Sequence, residues 1–492
     1  MIFSSPRFFV FLAVLLLLLA PRVRLRWKLD LLLVASCVFY AAWDWRYLGL
    51  LLGVSAVNHL CGVRIHAASD PRVRRRWLAA SVAASLGTLA YFKYTGFLLA
   101  NVAALLAPFG VAVPIVSVLL PAGVSFYTFK TMSYTIDIYR RELSPSRTLR
   151  HYSTYVTFFP ELIAGPIVRA SVFLPQMDRE IGPTADRLRV GASLFLLGLT
   201  KKLLIADRMA TVADPIFRDP DVYAAGSVWL GVLAYTIQIY CDFSGYSDMA
   251  VGTAKMIGYD LPRNFRMPYL AENVADFWRR WHITLSSWLR DYLYIPLGGN
   301  RKGRARTYVN LSLTMLLGGL WHGASWNFVL WGGLHGAALA AHRAAKEQSG
   351  DRALLPRSLA IPVTFLFAML CWVPFRSPDW PTTALVLRKL AGVGGPGTLF
   401  LPTALFLCLA LVLAGHAVGA ALDGAVSRVE RPGWLARAEA LLGWQLRSDP
   451  ISGWYVVLGA RTLAGSFAVT AWLLGIFLFA PSGTSPFLYF QF

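Results

Sequence analysis

The sequence has few charged side chains for its length. Asp, Glu, Lys and Arg make up 15% of its 492 residues, whereas a soluble domain carries about 25%. Hydrophobic residues account for 56% of the chain, and its mean hydropathy is +0.52. Apolar stretches that approach the roughly 20 residues of a membrane span recur from one end to the other. The composition therefore predicts an all-α polytopic membrane protein, with one transmembrane domain over residues 1–492.

Several motifs of well-known enzyme classes are missing. The sequence has no P-loop, no GxSxG elbow, no HExxH zinc motif and no dinucleotide-binding glycine fingerprint. Its five cysteines form no CxxC pair, which argues against a disulfide framework or a zinc site. We therefore expect no ATP-driven pump, serine hydrolase or metalloprotease, and neither a metal ion nor a permanently bound cofactor.

Acidic residues are scarce relative to basic ones. The chain has 47 Lys and Arg against 26 Asp and Glu, for a net charge of +21. A nucleic-acid-binding protein gathers such charge on one surface, but here it lies in short clusters between apolar runs. Cytoplasmic loops of membrane proteins have this pattern. We therefore expect membrane lipid rather than nucleic acid around the chain, and both termini outside the cytoplasm.

About eleven of the apolar stretches are predicted to cross the membrane, with others re-entrant or interfacial. Residues 272–295 differ, because aromatic residues and leucines recur there at helical spacing and are interrupted by charges. This pattern predicts one amphipathic helix at the cytoplasmic interface or packed into the floor of the bundle. Residues 423–448 have a similar pattern, with arginines among Trp and Leu.

His322 lies in an apolar, glycine-rich run, LGGLWHGASW, at residues 317–326. Its helix is expected to begin near Tyr308, so about 14 residues at about 1.5 Å each place His322 about 21 Å from the cytoplasmic end. In a hydrocarbon core about 30 Å thick, that position is deep, near a hairpin tip. An ionisable group there suggests function, and imidazole can take a hydroxyl's proton near neutral pH. The alternative is a neutral core histidine bonded to a carbonyl.

A second histidine, His282, shares a predicted helical face with Trp278. It either binds a donor or assists His322 from the cytoplasmic side, or it is an interfacial histidine among arginines. His335, in the run WGGLHG at residues 331–336, is interpreted as structural rather than catalytic.

Two carboxylates, Asp242 and Asp248, lie inside an apolar stretch, where they are costly unless paired. We expect Arg279 or Arg280 to pair with them in a structural polar network. A proton or ion pathway is the rival interpretation.

Several long ordered motifs resemble those of the membrane-bound O-acyltransferase (MBOAT) superfamily, and most closely its bacterial alginate O-acetyltransferase branch. Two carry most of the likeness: DFWRRWHITLSSWLRDYLYIPLGGNR at 276–301 and LLGGLWHGASWNFVLWGGLHG at 316–336. Further motifs lie at 123–139, 158–169 and 486–492, so the resemblance runs along the whole chain. It is less specific for the substrate, because relatives acylate peptidoglycan, cellulose or teichoic acids.

The resemblance implies a fold in which tilted helices ring a thinned centre with a central tunnel that joins the two membrane faces. It places the family's invariant histidine on His322 and its second histidine on His282, which are the candidate catalytic residues. Candidate tunnel residues are Trp278, Trp281, Ser286, Trp321, Ser325 and Asn327.

The resemblance also implies a reaction, in the bacterial inner membrane. An acetyl group passes from a cytoplasmic thioester, acetyl-CoA, to a periplasmic or membrane-anchored partner acetyltransferase that docks on the outer face and modifies an exported polysaccharide. His322 is the favoured general base, although an acylated imidazole stays open. We further expect the aromatic end, including Phe487 and Tyr489, to be exposed outside and to contribute to partner docking.

Two hypotheses from other classes remain at this point. A transporter or flippase would use Asp242 and Asp248 as a coupling pathway. A non-catalytic membrane scaffold would hold a separate transferase, and substitutions of His322 and His282 would then be silent.

Overall fold

The structure, a computed structural model, is mostly helical. It describes residues 1–19, 24–114, 116, 118–179, 182–350, 352, 354–426, 432–459, 462–481, 487 and 488.

The described chain contains twenty α-helices and two short strands. The helices are α1 Pro6–Leu18, α2 Leu25–Asp44, α3 Arg46–Ala67, α4 Pro71–Leu89, α5 Thr95–Leu106, α6 Val124–Tyr139, α7 Leu149–Thr157, α8 Ala170–Met177, α9 Ala185–Thr200, α10 Asp207–Arg218, α11 Ala225–Ile257, α12 Val274–Arg280, α13 Ile283–Leu289, α14 Arg304–His322, α15 Trp326–Ser349, α16 Arg357–Arg376, α17 Trp380–Leu390, α18 Thr403–Val426, α19 Gly433–Leu442 and α20 Leu463–Phe479. The strands are β1 Gln445–Asp449 and β2 Gly453–Val457. Single turns of π-helix occur at Ala90–Tyr94, Lys201–Ala206 and Arg290–Tyr294, and 3₁₀ turns at Ala107–Phe109, Pro220–Val222 and Pro268–Leu270.

Helices of membrane-spanning length are present in the part of the chain that the structure describes. Four are long and apolar enough to cross a bilayer: Arg46–Ala67, Pro71–Phe109, Arg357–Arg376 and Thr403–Val426. Two shorter apolar helices are α1 and α20. Their exposed faces carry large apolar side chains such as Leu17 and Phe477, which water would not favour. A helical membrane protein is therefore confirmed, while the count of eleven spans stays a prediction.

The chain divides into two compact units, and the first comprises Met1–Phe195 and Ala250–Pro262. Its core is built on α6, whose side chains are almost all buried. Hydroxyls and an amide connect α6 to α3 and α4: Ser81 Oγ donates to Asn58 Oδ1 at 2.6 Å and lies 2.8 Å from Thr135 Oγ1. Bonds of this kind stabilise helix packing where apolar contact alone has no advantage over lipid.

Two of the recognised motifs meet in this unit. Residues 123–139 comprise α6 and its N-cap residue Gly123, and residues 158–169 follow α7 as a buried loop. Lys130 Nζ lies 2.5 Å from Glu161 Oε1 and donates to the Tyr155 carbonyl at 2.7 Å. Since both charges are removed from water, each depends on the other for compensation.

The second unit comprises Leu196–Met249 and Arg263–Phe492. Aromatic side chains from α12, α15 and α16 dominate its core, among them Phe277, Trp331 and Trp372. All the candidate catalytic residues belong to this unit.

The two segments predicted as amphipathic helices, 272–295 and 423–448, have a different secondary structure from the predicted one. Residues 272–295 form α12 and α13 with a break at Trp281 and His282, followed by a π-helical turn. In the 423–448 region, α18 and α19 are followed by an antiparallel hairpin in which β1 pairs with β2, Leu446 opposite Val456. The all-α prediction is wrong for this hairpin, because both faces of its strands are covered. Leu446 packs with Trp454 and Val456 on one face, and Tyr455 and Val457 are buried on the other.

Candidate active site

The α14–α15 hairpin is closely packed through glycines. A Cβ on Gly332 would collide with the Met315 carbonyl oxygen and approach Leu316 Cα to 3.0 Å, and one on Gly319 would collide with the Phe328 carbonyl oxygen. Small residues at such positions allow helix backbones in membranes to approach closely. Gly319 and Gly332 therefore bring α14 against α15.

His322 is the last residue of α14, at the tip of this hairpin. The helix begins at Arg304 rather than near Tyr308, so the histidine lies a turn further from the helix start than expected. The imidazole is 4% exposed. Ring centroids of Trp321, Trp331 and Phe375 lie 5.0, 5.1 and 5.3 Å away, all steeply tilted to it. An aromatic enclosure of this kind excludes water and strengthens any polar interaction the imidazole makes.

His282 lies at the break between α12 and α13 and is fully buried. Its φ of +41° puts a non-glycine residue in the left-handed region. Such a conformation costs about 1 to 3 kcal/mol and persists where the surroundings enforce it, often at functional sites. The prediction that His282 shares one helical face with Trp278 is wrong, because the helix is interrupted between them.

Asn264 contacts His282 and was not found from the sequence. His282 Nδ1 lies 3.3 Å from Asn264 Oδ1, which also accepts from the hydroxyl of Thr284 at 2.6 Å and from its backbone N–H at 3.3 Å. Asn264 Nδ2 donates to Ser247 Oγ at 3.3 Å. No spacing rule links residue 264 to 282, because the connection depends on how the 258–272 loop folds back.

Trp321 contacts both candidate catalytic histidines. Its ring centroid lies 5.0 Å from that of His322 and 6.2 Å from that of His282. The predicted pair of histidines is therefore joined by a shared aromatic neighbour within the second unit.

The other predicted tunnel residues have separate contacts. Trp278 packs on Trp331, with centroids 5.7 Å apart, and donates through Nε1 to His335 Nδ1 at 3.3 Å. Trp281 packs on Trp372, with ring centroids 4.9 Å apart.

The polar tunnel candidates bond to backbone groups or cap a helix. Ser286 Oγ donates to the Trp281 carbonyl at 3.2 Å, and Asn327 Nδ2 donates to the Ser377 carbonyl at 3.0 Å. Ser325 is the N-cap residue of α15. The tunnel itself stays a prediction.

The two carboxylates of α11, Asp242 and Asp248, pair with lysines rather than with the predicted arginines. Lys202 Nζ lies 2.7 Å from Asp242 and 2.9 Å from Asp207, while Lys201 Nζ lies 2.6 Å from Asp248. The predicted partners pair elsewhere: the nearest oxygens of Asp276 lie 3.7 Å from Arg279 Nε and 2.9 Å from Arg280 Nε. Both lysines belong to the π-helical turn after α9.

The carboxyl-terminal segment is buried where it is described. Phe487 is fully enclosed, with its ring 4.6 Å from that of Tyr246 and 4.6 Å from Lys202 Nζ. The Leu488 N–H donates to Asp242 Oδ2 at 2.8 Å. The prediction that Phe487 is exposed is therefore wrong, and Tyr489 lies outside the described residues.

Replacing Lys202 by methionine is expected to destabilise the protein strongly. Lys202 is 1% exposed, and its loss removes the cation that two buried carboxylates share, which costs about 3 to 5 kcal/mol. Thermal denaturation in detergent measures the change. Arg290→Met is the control, because Arg290 pairs with Asp291 at 64% side-chain exposure and such pairs contribute about 0 to 1 kcal/mol. Equal melting temperatures for the two variants would contradict the expectation.

Residues 109–373 match the MBOAT, membrane-bound O-acyltransferase family. The chain is 45% identical over 384 residues to a protein named probable alginate O-acetylase AlgI of Azotobacter vinelandii, covering 77% of this chain and 76% of that protein. It is 38% identical over 391 residues to a peptidoglycan O-acetyltransferase of Helicobacter pylori, covering 74% of each. It is 27% identical over 262 residues to a teichoic acid D-alanyltransferase of Bacillus subtilis, covering 50% of this chain.

Proposed function

The chain belongs to the membrane-bound O-acyltransferase family, and we propose that it takes an acetyl group from acetyl-CoA in the cytoplasm and delivers it across the membrane for O-acetylation of an exported polysaccharide such as alginate. The observation that carries the proposal is the buried imidazole of His322 at the tip of α14, enclosed by Trp321, Trp331 and Phe375. The likeness to an alginate O-acetylase over most of the chain supports the acceptor class.

In this mechanism His322 acts as general base. Its neutral nitrogen takes the proton of an acceptor hydroxyl, and the oxygen attacks the thioester carbonyl. The C–S bond breaks, the ester C–O bond forms, and the imidazolium returns its proton to the CoA thiolate. The aromatic enclosure supports this role, because a site closed to water protects the thioester from hydrolysis.

His282 assists from beside the same tryptophan. It is buried, strained at φ +41°, and contacts Trp321. These are features of a residue held for function rather than for packing, and they favour the assisting role over that of an interfacial histidine.

The membrane arrangement is part of the proposal. About eleven helices cross the bacterial inner membrane around a tunnel, with both termini in the periplasm. The basic clusters on the cytoplasmic side attract the phosphates of CoA. A periplasmic or membrane-anchored acetyltransferase docks on the outer face and transfers the group to the polymer.

The pairing of Asp242 and Asp248 argues against the transporter hypothesis. Asp242 is neutralised by Lys202 and a backbone N–H, and Asp248 by Lys201. A structural network accounts for these groups without a coupling pathway.

Cells with and without the chain test the proposed function. Deleting it is expected to remove ester-linked acetate from the exported polysaccharide, as read by mass analysis, and a plasmid copy restores it. Membranes from the same cells, given acetyl-CoA with a labelled acetyl group, are expected to transfer label to polymer only when the chain is present. Unchanged acetylation of the polysaccharide in the deletion strain would contradict the proposed acceptor. Label transfer from another thioester but not from acetyl-CoA would contradict the proposed donor.

A further inference from the structure

A short segment of the 258–272 loop runs beside the helix break at His282. The Asn264 carbonyl accepts from the Ile283 N–H at 2.9 Å, and the Arg266 N–H donates to the Arg280 carbonyl at 2.9 Å. These two bonds lie on either side of His282. They satisfy backbone groups that the interrupted helix leaves free, so the loop holds the break open and fixes the strained residue in it.

The Asn264 side chain also determines which nitrogen of His282 carries its proton. A backbone N–H can only donate, so the bond from the Thr284 N–H identifies the facing Asn264 atom as the amide oxygen, an acceptor. His282 Nδ1, at 3.3 Å from that oxygen, must then be the donor. In a neutral imidazole this leaves the lone pair on Nε2.

His335 has the opposite tautomer, with its proton on Nε2. Trp278 Nε1 can only donate, so His335 Nδ1 accepts and its Nε2 carries the proton. Two buried histidines of one unit are thus held in different states by their neighbours, which shows that the tautomer of His282 follows from its own surroundings.

We infer that Asn264 is a positioning residue for the acyl transfer reaction: it holds His282 in the Nδ1–H tautomer, so that Nε2 accepts a hydrogen bond from a substrate N–H or O–H group. The inference rests on the proposed function. It assigns His282 an acceptor's role, whereas the other tautomer would make it an oxyanion donor. Asn264 itself reaches the reaction only through His282.

The β-hairpin keeps the loop in place. Asp423 lies 2.6 Å from Arg266 Nε and accepts from Trp454 Nε1, and the Arg263 guanidinium lies 5.6 Å from the centre of the Trp454 ring. Arg263 and Arg266 flank Asn264, so the hairpin and α18 restrain the loop on both sides of the positioning residue.

Substituting Asn264 by aspartate and by alanine separates positioning from packing. Asn264→Asp keeps an acceptor for Nδ1–H but adds a negative charge, which stabilises the imidazolium. Protonation of His282 then removes the Nε2 lone pair at a higher pH, so the ratio of variant to wild-type kcat/KM is expected to fall by about tenfold or more as the pH is lowered. At alkaline pH this variant is expected to approach the wild-type rate. Asn264→Ala removes the restraint and is expected to lose about tenfold or more at every pH.

Asn273→Asp is the matched control. Asn273 caps α12 by accepting from the Asp276 N–H at 2.9 Å, and aspartate caps equally well, so this variant adds a charge near α12 without touching His282. The charged groups on neighbouring segments, Arg280 and Arg266, keep their partners Asp276 and Asp423 in all three variants. We expect the control profile to match the wild type.

Three outcomes decide the inference. A ratio of Asn264→Asp to wild-type kcat/KM that does not change with pH, while His322 variants lose transfer, overturns the positioning role and leaves the proposed function standing. Absence of acetyl transfer by the wild-type protein overturns the proposed function instead. If Asn264→Asp does not fold, ¹⁵N spectra of histidine-labelled wild-type protein, compared with His282→Gln, report the tautomer directly, and protonation of Nε2 rather than Nδ1 overturns the inference.

Discussion

Replacing His322 by glutamine lowers acetyl transfer by about 10²- to 10⁴-fold, the range expected when a general base is lost. Glutamine fills a similar volume between Trp321, Trp331 and Phe375 and keeps a hydrogen-bonding end, but it cannot take a proton. The protein should therefore fold, while the acceptor hydroxyl is no longer activated. The measurement is the initial rate of label transfer from acetyl-CoA in membranes with equal amounts of each variant.

His416→Gln is the matched control for His322. His416 is also buried in the second unit, at 3% exposure, and its Nδ1 lies 2.9 Å from the Val412 carbonyl within its own helix. The same chemical change there is expected to leave transfer within about threefold of the wild type. If His322→Gln keeps a comparable rate, His322 is not the base, and the scaffold hypothesis gains support.

The same assay distinguishes the two roles of His322. An acylated imidazole would trap label on the protein when acetyl-CoA is supplied without acceptor, and the label would be lost with His322. A general base leaves no such adduct, because the acetyl group moves directly to the acceptor oxygen. We expect no label on the wild-type protein after rapid quenching.

The hairpin tip was predictable because two local signals coincide there. A basic cluster at residues 301–306 marks the start of α14 and an apolar run rich in glycine follows, so the distance of His322 from that start depends only on helix rise. The break at His282 has no such signal. Trp278, Trp281 and Leu285 continue the helical spacing through it, and the bonds from residues 264 and 266 that hold it open come from a distant loop.

The cations that pair with the buried carboxylates could not be predicted from the sequence either. Arg279 and Arg280 lie inside an aromatic motif, whereas Lys201 and Lys202 directly follow the apolar helix α9. Only the packing of α11 against the π-helical turn brings the lysines to Asp248 and Asp242. Charge pairing within a membrane protein can be expected from its cost, but the choice of partner is a property of the fold.

Replacing Gly332 by alanine is expected to reduce transfer by about 10²-fold and to lower the melting temperature. A Cβ there would collide with the Met315 carbonyl oxygen and press on Leu316 Cα. These are backbone atoms, so no side chain can move aside, and α14 must shift away from α15. Overpacking of this kind costs about 1 to 3 kcal/mol. His322 ends α14 and packs on Trp331 of α15, so the shift displaces the base, and a displacement of about 1 Å can cost about 10²-fold.

Gly333→Ala separates this effect from the general cost of altering a glycine in α15. The nearest atom to a Cβ on Gly333 is Leu316 Cδ2 at 3.7 Å, an ordinary contact with the end of a side chain. Alanine also favours the helix by about 1 kcal/mol over glycine, so this neighbour should be as stable as the wild type and as active. Equal activity in both variants would mean that α14 and α15 can separate without moving His322. A loss confined to Gly332→Ala means that the acyl transfer site depends on the close approach of two backbones. Of the two adjacent glycines, packing then requires Gly332 and tolerates a side chain at Gly333.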